Sequence, residues 1–114
     1  MKPIVATKST DQRQQGDVLW VKVDSMPDGG KPLPLSERGY VIREGEATGH
    51  AHVLDPAGVL DIREVNGIIF ARIAEDTTLR HDEHGSTFAT PGIYAFGAVQ
   101  EYDHFREEAR LVID

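Results

Sequence analysis

The sequence predicts a small all-β domain, a barrel or sandwich of seven to nine short, mostly antiparallel strands. Three observations predict it. No stretch of ten or more residues sustains the 3.6-residue apolar period of an amphipathic helix. Short β-branched and aromatic runs recur instead, each closed by Gly, Pro, Asn or Asp. Finally, Asn66-Gly67 stands between two alternating apolar runs, a strong short-range hairpin signal. With 114 residues, 39% hydrophobic and 27% charged, the chain has the size and composition of one soluble globular domain.

Residues 1–15 are polar and aperiodic, with Gln12, Gln14 and Gln15, and read as a flexible arm ahead of a single domain over 16–114. Gly16 to Val23 opens that domain with the β-branched and aromatic run of a strand. Three prolines and the Gly29-Gly30 pair make 26–34 a loop, because Pro lacks the N–H that a helix or central strand requires. Tyr40-Val41-Ile42-Arg43 is the next strand. The run from Val59 to Val65, turned by Asn66-Gly67, returns over Ile68 to Ile73. A two-residue type I′ loop fixes the register: Val65 opposite Ile68, Arg63 opposite Phe70, Asp61 opposite Arg72. On the other face, Leu60, Ile62, Ile69, Ala71 and Ile73 form the core-directed stripe. Further strands are expected at 77–81, 87–89 and 92–100, with 111–113 as a terminal edge strand. Residues 103–110 have helical composition but are too few for a stable helix. Trp20 and Phe70 read as core or rim aromatics.

Charge narrows the function classes. A net charge of −7 disfavours nucleic-acid binding, which needs clustered Lys and Arg against phosphates. No run approaches the roughly 18 apolar residues of a membrane-spanning helix. The absence of cysteine removes disulfides and thiolate metal sites and makes a cytoplasmic location the natural expectation.

Four of the five histidines fall within one 35-residue window, as His50-Ala51-His52 and His81-Asp82-Glu83-His84. On a strand, residues two apart point to the same face, about 6.5–7 Å apart, and two imidazoles so placed can share an ion at about 2.0–2.1 Å. The competing reading is a polar strand face with solvated histidines. His81 follows the alternation of Thr77 and Leu79 toward the core side. His84 reaches the same site only if the chain turns at 82–85. The expected metal ligands are therefore His50, His52, His81 and His84, for Zn, Ni, Mn or Fe. His84 and Glu101 are the acid/base candidates, and Glu44, Glu46, Asp82 and Glu83 are possible outer acceptors for imidazole N–H groups. His104, beside Asp103, reads as exposed.

The His-x-His strand, followed some thirty residues later by another histidine and then by Pro91-Gly92, is similar to the cupin pattern. That resemblance implies cupin-like metal chemistry. Cupins carry a glutamate a few residues after the His pair, where this chain has Asp55 and Asp61, and their Pro-x-Gly precedes its histidine. The longer pattern runs from Gln15-Gly16-Asp17-Val18 through Thr48-Gly49-His50-Ala51-His52 to His84-Gly85 and Gln100-Glu101-Tyr102. It resembles a family of small uncharacterised bacterial proteins.

These readings converge on a metal-binding protein, with a small-molecule ligand if the ion keeps an open position. Two alternatives stand beside it: a metal-free β module that binds a partner or forms a homo-oligomer, and a metal-independent hydrolase using histidine as acid and base.

Overall fold

The computed structural model describes residues 3–7, 12–44, 50–81, 85–98, 101–103 and 108–112, with side chains described over 15–44, 50–81 and 85–98. The described residues form thirteen strands and no helix. In chain order these are β1 (Pro3–Thr7), β2 (Gln12–Gln15), β3 (Val18–Val23), β4 (Lys31–Pro32), β5 (Tyr40–Glu44), β6 (Ala51–Leu54) and β7 (Val59–Val65). Then follow β8 (Ile68–Ile73), β9 (Thr77–Arg80), β10 (Thr87–Ala89), β11 (Gly92–Ala98), β12 (Glu101–Asp103) and β13 (Glu108–Val112). All pairings are antiparallel.

Ten of these strands build a sandwich. One sheet runs β2-β3-β11-β8-β7-β4 and the other β10-β9-β6-β5, so each keeps two edges and no barrel closes. Between them lies the main core: Val18, Trp20, Ile62, Ile69, Ala71, Ile73, Tyr94 and Phe96 from the larger sheet meet Leu54, Leu79 and Ala89 from the smaller. Trp20 stacks on Phe96 with ring centroids 5.0 Å apart, and its indole N–H donates to the Thr87 hydroxyl across the sandwich. A buried indole needs such a partner, since an unsatisfied donor costs about 1–3 kcal/mol. The larger sheet is apolar on its second face too, where Leu19, Val21, Ile68, Phe70 and Ala95 form another buried cluster.

The Asn66-Gly67 hairpin has the expected register from Val65–Ile68 to Asp61–Arg72, with Asn66 and Gly67 at φ of 50° and 83° as a type I′ turn requires. Beyond Asp61 the expectation fails. A bulge sets Val59, rather than Leu60, opposite Ile73, and Leu60 is left 67% exposed instead of joining the core stripe. One extra residue reverses the side chain's face, and composition carries no signal for it.

The ends of the chain also differ from the expectation. Gln12–Gln15, read from the sequence as the end of the polar arm, pairs with β3 through a two-residue turn that Gly16 opens at φ +57°. Pro3–Thr7 and Glu108–Val112 pair with each other, and β13 is the middle strand of a three-stranded sheet, β1-β13-β12, rather than an edge. The 103–110 stretch contributes to β12 and β13, not to a helix, over its described residues.

Candidate functional site

The histidines meet because of one register. β6 pairs with β9 so that Val53 faces Arg80 and Leu54 faces Leu79. Continuing that pairing one residue past the end of β9 brings His52 opposite His81, with His50 on the adjacent diagonal. The ring centroids of His52 and His81 are 4.3 Å apart, and those of His50 and His81 6.3 Å. Both are ordinary spacings for cross-strand neighbours on one face. Leu54 and Leu79 on that face point into the core, so the histidines sit where the inner face runs out to the end of the sheet. His50 and His81 are half-buried and His52 is fully buried.

A buried imidazole needs partners, and the β2–β3 hairpin supplies them. His52 Nδ1 lies 2.8 Å from Gln15 Oε1, and Nε2 lies 3.0 Å from Asp17 Oδ1. The Gln15 amide orientation is fixed independently, because its Nε2 donates to the carbonyls of Leu79 and Gly85. Its oxygen is therefore an acceptor. Asp17 Oδ2 in turn accepts from Arg43 Nε at 2.8 Å. Each ring nitrogen of His52 faces an oxygen, the Gln15 amide oxygen on one side and the Asp17 carboxylate on the other. Gln15, His52, Asp17 and Arg43 thus form a continuous polar chain from the interior to the surface.

Asp17 is held below the usual carboxylate range. Burial raises its pKa, but the hydrogen bond and charge of Arg43, a backbone N–H and the His52 hydrogen bond together outweigh that rise. The ionised form is the one these partners favour.

Sequence reasoning missed Gln15, Asp17 and Arg43. The signal that could have found them is Gly16-Asp17 ahead of the Val18–Val23 run, a two-residue turn that makes the preceding glutamines a strand. Of the expected metal ligands, His50, His52 and His81 are brought together. His84, with Asp82 and Glu83, lies outside the described residues, as does Glu46. Glu101 begins β12, paired with Arg110, and its side chain is likewise outside them. Glu44 sits at the end of β5, 3.4 Å from Arg38. Among the described residues, no group of three or more His, Asp or Glu side chains is placed to hold a metal ion. No helix among the described residues is long and apolar enough to cross a membrane.

A family model described as a domain of unknown function (DUF8820) matches residues 14–98. The chain belongs to that family. The matched segment runs from Gln14, in the strand that carries Gln15, to Ala98 at the end of β11, and so takes in the sandwich with the whole Gln15–His52–Asp17–Arg43 chain and all three described histidines of the cluster. It leaves β1, β12 and β13 outside. Neither curated proteins nor solved structures gave a match to this DUF8820 chain.

Proposed function

We propose that the chain binds a divalent transition metal ion at the end of β6 and β9, through His52, His81 and His50, with Asp17 as a carboxylate ligand and His84 as a further donor. The observation supporting this reading is the cross-strand placement of His52 and His81 beside a carboxylate. Two ligand atoms on one ion at about 2.0–2.2 Å are separated by roughly 3–3.5 Å. The 3.0 Å gap between His52 Nε2 and Asp17 Oδ1 falls in that range. An ion could therefore replace the proton that the two groups share with little movement of either. Gln15 would keep its hydrogen bond to Nδ1 and hold the ring, the usual second partner of a ligating histidine. Imidazole-plus-carboxylate ligation admits Zn, Ni, Mn or Fe. An open position on such an ion would supply Lewis-acid activation of a bound water.

Because the ion displaces protons, affinity falls as pH drops through the range in which imidazole protonates. The test is metal content after loading with each ion at neutral pH and desalting, in the parent protein and in His50→Ala and His81→Ala variants. One equivalent, lost or sharply reduced in both variants, is expected. Protein that retains none of the four ions, or variants with unchanged stoichiometry, would reject the assignment.

A further inference from the structure

The opposite face of the same strands carries a second feature. Val53 and Arg80 are cross-strand partners whose side chains leave the sheet away from the core that Leu54 and Leu79 enter. The Ser36–Gly39 turn folds over this face. It comes so close that a Cβ on Gly39, at φ +120°, would lie 2.9 Å from the Leu54 carbonyl oxygen. Only glycine permits both that approach and that backbone angle. Between turn and sheet opens a cleft of about 630 Å³, within the roughly 300–1,000 Å³ typical of small-molecule sites. Ala51 and Val53 line it beside Glu37, Arg38 and Arg80, and His81 and Ser86 complete it.

The geometry points to a binding site for a small molecule bearing an oxyanion, a carboxylate or a phosphate, with Arg80 as its principal anchor. Arg80 Nη2 donates to the Arg38 carbonyl at 2.7 Å, which pins the guanidinium across the cleft and leaves the rest of its five-donor fork to an incoming acceptor. Among the described residues it has no carboxylate partner, although the chain holds 19 acidic residues against 12 basic ones. Arg43 and Arg63, by contrast, are paired with Asp17 and Asp61. A cation to which no described residue supplies a counter-ion, held by this one hydrogen bond at a concavity, binds an anion at a smaller ordering cost than a free arginine. The Arg38 guanidinium adds charge at the rim, and its contact with Glu44 is long, at 3.4 Å. The Ser86 hydroxyl adds a hydrogen-bonding group. Glu37, the one acid among the described residues lining the cleft, opposes a highly charged polyanion and suits a ligand that also carries a hydroxyl or amino donor. The cleft shares His81 with the metal reading but does not depend on it.

The experiment is a ¹H–¹⁵N titration of chelator-treated protein with malonate and, separately, with inorganic phosphate, at ionic strength held constant with sodium chloride. Saturable shifts at the amides of Val53, Arg80, His81 and Ser86 are expected, weakened about tenfold or more in Arg80→Gln and strengthened in Glu37→Gln. Tighter binding of malonate would mark the ligand as a carboxylate, and tighter binding of phosphate as a phosphate ester. Absence of saturable shifts with both anions, or shifts of equal affinity in Arg80→Gln, would overturn the proposal. Failure to retain metal would leave this result unaffected, so the two readings fail separately.

Discussion

Replacing Gln15 by leucine should destabilise the domain by about 3 kcal/mol. The figure follows from the bonds lost. Gln15 is 1% exposed, donates to the Leu79 and Gly85 carbonyls, and accepts from His52 Nδ1 at 2.8 Å. A net intramolecular hydrogen bond contributes about 1 kcal/mol, more when one partner is charged, and groups stranded away from water add their desolvation cost. Leucine nearly matches glutamine in volume, so cavity formation is a small part of the effect. Trp20 is the only tryptophan and is fully buried, which makes its fluorescence a direct reporter in urea unfolding. With a slope of about 1–2 kcal/mol per molar urea for a small domain, the midpoint should fall by roughly 2 M. Gln15→Glu is the informative control, because it keeps an acceptor for His52 but sets a buried carboxyl against the two carbonyls, and should cost at least as much as leucine. A leucine variant within about 0.5 kcal/mol of the parent would refute the view that this amide ties the β2–β3 hairpin to the smaller sheet.

Three further outcomes follow from other features. Leu60→Ser should change stability by less than about 0.5 kcal/mol, whereas Ile62→Ala two positions on should cost about 2–5 kcal/mol; equal losses in urea unfolding would mean that the bulge is misplaced. Gly67→Ala should cost about 1–2 kcal/mol through its positive φ alone, since no atom lies within 4 Å of the added Cβ, and a neutral variant would rule out the type I′ turn. Asp17 has a depressed pKa, so the stability it contributes is fully present above its ordinary value of 3.8 and is lost as pH falls from there through the lower folded value. Both Asp17 and Arg43 are about half exposed, so Arg43→Met should cost less than about 1 kcal/mol at neutral pH and flatten this acid limb. An acid-unfolding curve unchanged in that variant would contradict the pairing.

Strand identity was legible wherever a local rule acts alone. Asn66-Gly67 dictates its turn, and five successive residue pairs of the hairpin follow from it. His50 and His52 share a face because a strand alternates, whatever surrounds it. The bulge at Leu60 was illegible because both faces of this sheet are apolar, so a slipped leucine leaves no pattern behind. Gln12–Gln15 was illegible for the opposite reason: a polar run becomes strand only through its partner β3, and Gln15 is buried only because His52 and two carbonyls require it there. The approach of His81 to His52 depends on the β6–β9 register, a long-range pairing that no local signal encodes, so the sequence could motivate the cluster without fixing which nitrogens remain available.

The pairing of β1 with β13 sets Pro3 beside Val112 and Thr7 beside Glu108. Because the two run antiparallel, a load applied through Pro3 and Val112 acts at the same end of the ladder. It would peel the backbone bonds apart one at a time instead of shearing them together. Under tension this clasp should give way at low force, while the sandwich between Gln12 and Ala98 holds until a separate, higher-force event. A single-molecule pulling trace with one undivided rupture would show that the clasp and the sandwich yield together.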